Sequence, residues 1–161
     1  MAYNFKDLTV LVVDDDATIS MVIDNIFRTL KVKECISVRC GEDALAEYKT
    51  RKPDLILTDW NMKDMDGLQL TSAIRGLNKV SKNPTPIILM SGYTDLENVK
   101  KAIDLGVNEF LLKPFSVNDL ATRIAYVIDN PREIVDVADY FGPDRRRLNW
   151  PEYTGPDRRQ K

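Results

Sequence analysis

Two short, almost continuously apolar segments of this chain each end on aspartate, and this arrangement restricts the possible folds more than any other feature. Residues 10–13 run into the acidic triplet 14–16, and residues 55–58 lead directly to Asp59. Apolar runs of this length, bounded by polar and turn residues, are typical of strands that are buried on both faces of a parallel sheet. Because open α/β sheets bind ligands at the carboxyl ends of their strands, we expect both sets of carboxylates to lie at one edge of the sheet.

The same pattern continues along the chain, where apolar runs alternate with the spacing of amphipathic helices. We predict strands over residues 8–13, 32–38, 55–59, 87–90 and 107–112. The predicted apolar face of the last helix consists of Val117, Leu120, Ile124, Val127 and Ile128. Five strands that alternate with five helices predict an α/β fold, a doubly wound parallel sheet with helices on both faces.

Two further polar residues follow predicted strands, Ser91 after the fourth and Lys113 after the fifth. We expect them at the same sheet edge as Asp14, Asp15 and Asp59. Clustered carboxylates raise one another's pKa unless a cation neutralises them, and a site with oxygen ligands alone suits Mg²⁺ before Ca²⁺. Such a site accepts phosphate, because a lysine and a hydroxyl can bind the phosphoryl oxygens. The central Asp59 is the natural nucleophile, since a carboxylate can carry a phosphoryl group as an acyl phosphate.

Each of these residues also has a purely structural interpretation. Asp59 alone could cap a turn, Lys113 could be a surface lysine and Ser91 could be a turn residue. Their common position at strand ends, beside a second acidic cluster, favours the functional interpretation.

Composition and charge exclude several classes of protein. The chain contains no histidine, which rules out a Ser-His-Asp triad and a histidine-ligated zinc site. The formal net charge of −2 argues against a general nucleic-acid-binding protein, and no apolar run approaches the roughly 18 residues that span a membrane. Cys35 and Cys40 are too few for a disulfide framework, and residues 1–7 lack the layout of a signal peptide. We therefore expect reduced thiols, a cytoplasmic location and no membrane insertion.

The strand-end motifs resemble those of the receiver domain of two-component response regulators, the CheY-like family, over residues 5–130. The matching residues are Val12-Val13-Asp14-Asp15, Asp59-Trp60-Asn61-Met62, Met65-Asp66-Gly67, Met90-Ser91-Gly92 and Lys113-Pro114-Phe115. The resemblance implies a flavodoxin-like five-stranded sheet with the strand order 2-1-3-4-5. It also implies that Asp59 is the phosphoacceptor, phosphorylated from a phosphohistidine on a partner histidine kinase or phosphotransfer protein.

The resemblance further assigns roles around this aspartate. It implies that Asp15, Asp59 and the backbone carbonyl of Asn61 bind Mg²⁺, with Asp14 contributing through water. Lys113 would pair with the phosphoryl group, and the peptide bond between Lys113 and Pro114 is typically cis in this family.

Two more residues match the family's conformational switch. Ser91 stands at the position of the switch hydroxyl, and Phe110 at that of the switch aromatic. Phe110 also fits an ordinary core position, and the two interpretations coexist, since the switch moves its aromatic side chain between buried and exposed rotamers.

The chain changes character in residues 131–161, which we interpret as an arginine-rich tail. The segment 140–147 recurs as 153–159, so that Gly-Pro-Asp-Arg-Arg is present twice. The tail has too little apolar surface for a core of its own, so we expect it to be disordered or to dock onto the domain. No helix-turn-helix pattern is found, and we expect no binding to DNA.

Arginine forks and aromatic rings are side chains that recognise phosphates and bases. The candidate nucleotide-binding residues of the tail are Arg145, Arg146, Arg147, Trp150, Arg158 and Arg159. The tail is similar to arginine-rich extensions of certain CheY-like proteins that bind cyclic di-GMP and act on flagellar motors. A solvated charge run and a disordered peptide that binds a partner protein are the alternatives.

These observations favour a single-domain response regulator that is not an enzyme, although it accepts a phosphoryl group on Asp59 and could hydrolyse it. The resemblance implies that it binds a downstream protein through its fourth helix, fifth strand and fifth helix. The alternative is a CheY-like adaptor, for example in chemotaxis, whose tail binds cyclic di-GMP or a protein. A third hypothesis is a metal-dependent phosphatase of similar fold. Such enzymes usually have a second aspartate two residues after the catalytic aspartate, and Asn61 stands at that position, which argues against this class.

Overall fold

The computed structural model describes residues 4–77, 84–92, 96–131, 134–137 and 140–143. Five strands form one parallel sheet: β1 (Thr9–Val13), β2 (Glu34–Val38), β3 (Leu55–Asp59), β4 (Ile87–Ser91) and β5 (Glu109–Leu112). Five helices alternate with them: α1 (Ala17–Thr29), α2 (Gly41–Arg51), α3 (Gly67–Leu77), α4 (Leu96–Leu105) and α5 (Val117–Asp129). The strand order is β2-β1-β3-β4-β5. The predicted doubly wound sheet and its order are therefore confirmed.

The helices cover both faces of the sheet. On one face, α1 and α5 pack Phe27 and Ile124 against the strands. On the other face, α2 and α3 contribute Ala44 and Ile74, and α4 contributes Ala102. The central strands are almost completely buried, as expected for a parallel sheet that is covered on both sides.

β2 and β5 each begin two residues later than predicted, because the ends of the preceding helices occupy those residues. The N–H of Val32 donates to the carbonyl of Phe27, so this residue closes the end of α1 and does not pair with a neighbouring strand. In the same way the N–H of Val107 donates to the carbonyl of Ala102 at the end of α4. Gly106 between them has a φ of 103°, a left-handed conformation that glycine adopts without strain.

The ends of α5 agree only in part with the prediction. A capping box opens the helix, since the Ser116 hydroxyl accepts from the N–H of Asp119 and the Asp119 carboxylate accepts from the N–H of Ser116. These hydrogen bonds hold the pKa of Asp119 below its usual value. Val117 and Ile128, predicted to face inward, are instead 43% and 42% exposed. Both lie in the terminal turns of the helix, and the buried stripe runs between them.

A short antiparallel hairpin follows α5 and was not predicted. It consists of β6 (Ile134–Val137) and β7 (Tyr140–Pro143), and β7 lies against α3 and α4. The β-branched residues of β6 favour a strand. The candidate nucleotide-binding residues of the tail lie outside the described residues. Among the helices that the structure describes, none is long and apolar enough to cross a membrane.

Candidate functional site

The register of the parallel strands brings four distant segments together at the carboxyl edge of the sheet. Val13 lies opposite Thr58, so Asp14 and Asp59 follow on neighbouring strands at the same level. Asp59 in turn lies opposite Met90 on β4. Each apolar strand thus ends where its polar residue reaches the edge, and the predicted convergence is observed.

Ser91 and Lys113 extend this line toward the edge strand. Ser91 lies opposite Leu112, and its carbonyl accepts a hydrogen bond of 2.9 Å from the N–H of Lys113. Ser91 itself is only 2% exposed. The peptide bond between Lys113 and Pro114 is cis.

The Lys113 ammonium group connects the two buried acids. Its Nζ donates to Oδ1 of Asp59 at 2.9 Å and to Oδ2 of Asp14 at 3.1 Å. The Asp14 side chain is fully buried, and that of Asp59 is 13% exposed. One cation therefore bridges β1 and β3 from the end of β5, across 54 and 99 residues of sequence.

The three consecutive aspartates after β1 have different roles in the site and in the adjoining helix α1. The Asp16 carboxylate accepts from the N–H groups of Thr18 and Ile19 and so caps α1. The N–H of Asp16 donates to Oδ1 of Asp14 at 2.9 Å, which fixes the orientation of that carboxylate. Asp15, between them, is exposed.

Burial and neighbouring charges oppose each other in the pKa values of the site. Burial raises the pKa of Asp59 above its usual value, and the charge of Asp14 raises it further, against the hydrogen bond from Lys113. Burial alone would lower the pKa of Lys113, but its hydrogen bond to Asp59 and the two carboxylate charges together raise it. The lysine is therefore held as a cation, while the negative charge of Asp59 is less favourable than in water and would be stabilised by a further cation.

The donor set fits a hard divalent cation. Asp14, Asp15 and Asp59 each offer a carboxylate oxygen, and these three atoms lie within 4.8 Å of one another. A Mg²⁺–oxygen bond is about 2.1 Å, so two oxygens on one ion are at most about 4.2 Å apart. The carboxylate oxygens are therefore at most about 0.6 Å farther apart than one Mg²⁺ ion requires. Asn61, whose carbonyl the resemblance adds to this set, is exposed two residues after Asp59.

The loop after Asp59 is held close to the sheet by a glycine. The N–H of Gly67 donates to the carbonyl of Trp60 at 2.9 Å. A Cβ atom on Gly67 would collide with the carbonyl oxygen of Asp59 and would lie 2.7 Å from a methyl group of Leu89. Gly67 therefore sets the path of the chain around Asp59.

Phe110 lies on β5 in a half-buried position. It packs against a small cluster formed by Leu89, Ala102 and Val107, between β4, α4 and β5.

Sequence reasoning missed Arg75, which lies at the opposite edge of the sheet and connects α3 to the loops before β4 and β5. Its guanidinium donates to the carbonyls of Gly106 and Thr85.

Comparisons with known proteins agree with this geometry. The family model for the response regulator receiver domain matches residues 10–125. Chemotaxis protein CheY-3 of Vibrio cholerae is 27% identical over 124 residues, which cover 77% of this chain and 94% of that protein.

Solved structures show the same fold. Chemotaxis protein CheY4 of Vibrio cholerae superposes with a TM-score of 0.70 at 26% identity, covering 75% of this chain and 98% of that one. The signal receiver domain of a signal transduction histidine kinase from Syntrophus aciditrophicus superposes with a TM-score of 0.67 at 25% identity, covering 81% and 98%.

Proposed function

The chain belongs to the response regulator receiver domain family, and we propose that it signals through phosphorylation of Asp59. Proteins of this family act in two-component signalling and are not classical enzymes, and their phosphoryl donor is a histidine kinase or a phosphotransfer protein. The proposal for this chain rests on one observation above all. The Lys113 ammonium lies within hydrogen-bonding distance of both Asp14 and Asp59 at the sheet edge.

The residues of the site would divide the transfer reaction among them. A carboxylate oxygen of Asp59 attacks the phosphorus of a phosphohistidine, the new P–O bond forms and the P–N bond to the imidazole breaks. The imidazole leaves and takes up a proton, and Asp59 carries the phosphoryl group as an acyl phosphate. Lys113, already beside the attacking carboxylate, can then pair with a phosphoryl oxygen.

A divalent cation would complete the charge balance. Asp15, Asp59 and the carbonyl of Asn61 would bind Mg²⁺, with Asp14 through water, and the ion would supply positive charge for the phosphoryl oxygens. The oxygen-only donor set and the raised pKa of Asp59 support this assignment.

The signal would leave the site through Ser91 and Phe110. The Ser91 hydroxyl would bind a phosphoryl oxygen, and Phe110, half-buried beside α4, would change its rotamer. A coupling free energy of about 1–3 kcal/mol is enough for such a change. The face formed by α4, β5 and α5 carries exposed apolar side chains, including Leu96 at 82%, Leu112 at 50% and Tyr126 at 38% exposure. A downstream protein would bind this face.

Intact mass measurement tests the central step. After incubation with acetyl phosphate and Mg²⁺, we expect one phosphoryl adduct on the wild-type chain and none on Asp59→Asn. Asp64→Asn is the matched control, because Asp64 is an exposed acid of the same loop whose left-handed φ of 64° suits asparagine. It should be phosphorylated like the wild type. An unmodified wild type, or an adduct on Asp59→Asn, would contradict the proposal.

The repeat in the tail favours a second candidate function, an adaptor that binds cyclic di-GMP. Two copies of Gly-Pro-Asp-Arg-Arg, thirteen residues apart (155 − 142), provide two arginine pairs for phosphate groups. Calorimetric titration of cyclic di-GMP into the full chain should release heat that is lost in the double variant Arg158→Ala, Arg159→Ala. Equal heat from both proteins, or none from either, would exclude this candidate.

A further inference from the structure

A groove of about 650 Å³ lies at the amino-terminal edge of the sheet, opposite the carboxylate site. Its lining includes residues that directly precede strands, such as Leu8 before β1, Pro86 before β4 and Asn108 before β5. Val127 and Ile128 from the last turn of α5 form another side. The volume falls within the range of known binding pockets, about 300–1,000 Å³.

The wall of the groove is unusually rich in proline. The prolines that line it are Pro53, Pro84, Pro86, Pro131 and Pro143. Proline has no backbone N–H, so this wall presents ring carbons and few donors. Together with Phe5, Leu8 and the two residues of α5, it forms an apolar surface that suits an aromatic side chain better than a charged one.

The chain itself leads into this groove. Pro143, the last residue of β7, is buried and lines it, so the segment 144–161 starts at the groove. Trp150 follows seven residues after Pro143 (150 − 143), and seven extended residues span about 24 Å. That length allows the indole to reach back into the groove that begins at Pro143.

The charge of the segment 144–161 is also complementary to that of the groove. Residues 144–161 contain six basic and three acidic side chains, a net charge of +3. Asp7 and Asp54 line the groove and are exposed, and no ion pair to either is found within the described part of the chain. Asp54 uses one oxygen to accept from the N–H of Thr9 at 2.9 Å.

From these observations we propose that the groove binds the segment 144–161 of the same chain, with Trp150 among the prolines and arginines beside Asp7 and Asp54. The groove and Asp59 lie at opposite edges of the sheet, so the bound segment leaves the phosphorylation site open. The docked segment also lies next to β7, which contacts α3 and α4. The first copy of the Gly-Pro-Asp-Arg-Arg repeat begins inside β7, so docking fixes the starting point of the arginine-rich segment on the domain.

Fluorescence of Trp150 tests the proposal in the full chain. Trp60 is replaced by phenylalanine so that Trp150 is the one remaining tryptophan. We expect blue-shifted emission and protection from acrylamide, compared with a synthetic peptide of residues 144–161. Ile128→Lys should lower the ratio of docked to undocked protein about tenfold, because it removes apolar contact and adds like charge. The peptide-like spectrum in the parent protein would overturn the proposal.

Two further variants, one control and one second test of the groove, make the result specific. Val117→Lys introduces the same charge on the same helix at a residue of equal exposure, 43% against 42%, and should leave the emission unchanged. Asp7→Lys, at the groove but on an exposed residue, should also reduce docking, and circular dichroism melting shows that each variant is folded. An equal response of Val117→Lys and Ile128→Lys would overturn the proposal. Loss of protection on dilution of about a hundredfold would also overturn it, since that would indicate the segment of a second copy.

Discussion

Replacement of Lys113 by methionine should expose the electrostatic strain of the site most clearly. The substitution keeps the apolar stem and removes the ammonium group that binds Asp14 and Asp59 at 3.1 Å and 2.9 Å. The carboxylate oxygens of these two acids lie within 4.8 Å of each other. At that distance and an effective dielectric constant of about 20, two negative charges repel by about 3.5 kcal/mol. Because water reaches Asp59, we expect the free energy of unfolding to fall by about 3 kcal/mol, at the lower end of the usual cost of breaking a buried pair.

The assay is urea unfolding followed by far-ultraviolet circular dichroism, in EDTA and again in Mg²⁺. In EDTA the loss of stability should be full. In the Asp59→Asn background it should be smaller, because the repulsion between the two carboxylates is gone, although Asp14 still loses its cation. Mg²⁺ should stabilise Lys113→Met more than the wild type, because the competing ammonium is absent. A concentration of about a hundred times Kd contributes about 2.7 kcal/mol.

Lys101→Met provides the control, since Lys101 is an exposed lysine on α4. Its effect should stay within about 0.5 kcal/mol. A Lys113→Met loss that is no larger than this, or one that is the same in EDTA, in Mg²⁺ and in the Asp59→Asn background, would refute the reasoning.

Three further predictions concern pH, the glycine beside the acid and the buried arginine. Burial raises the pKa of Asp59, so the folded protein holds this proton more tightly than the unfolded chain. The associated stability is present below the usual pKa of 3.8 and is lost as pH rises through the raised pKa. In EDTA at pH 7, Asp59→Asn should therefore be more stable than the wild type in urea unfolding. Gly67→Ala should lower the free energy of unfolding by about 2 kcal/mol and slow phosphorylation. Gly76→Ala, whose Cβ would meet nothing within 4 Å, should instead stabilise α3 by up to about 1 kcal/mol. Equal urea midpoints for the two variants would contradict this. Arg75→Met should cost about 3 kcal/mol in the same assay, because the carbonyls of Gly106 and Thr85 lose their buried donor, and a loss below about 1 kcal/mol would show that water replaces it.

The carboxyl edge of the sheet could be predicted because it depends on local pattern. Each apolar run that ends on a polar residue places that residue at a strand end, and the parallel register then aligns Asp14, Asp59, Ser91 and Lys113. The residue that joins the acids, Lys113, was found for the same reason. What the pattern could not provide was the identity of each hydrogen-bond partner.

Features that depend on tertiary contact were less predictable. Val32 and Val107 have strand-forming side chains, but their N–H groups close the ends of helices α1 and α4. Val117 and Ile128 continue the apolar spacing of α5 but lie in its terminal turns and are half exposed. Nothing in the sequence marks Arg75 as special, because its role depends on hydrogen bonds to two loops that are distant in sequence, at Thr85 and at residues 106–108. The hairpin of β6 and β7 was obscured by the change in composition after Pro131.

The most direct test of the account is to locate the phosphoryl group. Borohydride reduces an aspartyl phosphate to homoserine, and peptide mass spectrometry of the phosphorylated and reduced protein identifies the residue. The account predicts homoserine at position 59 alone. Its formation should require Mg²⁺, and it should be absent from protein that was not incubated with phosphodonor. Homoserine at Asp14 or Asp15, or no homoserine in a protein that binds Mg²⁺, would contradict it.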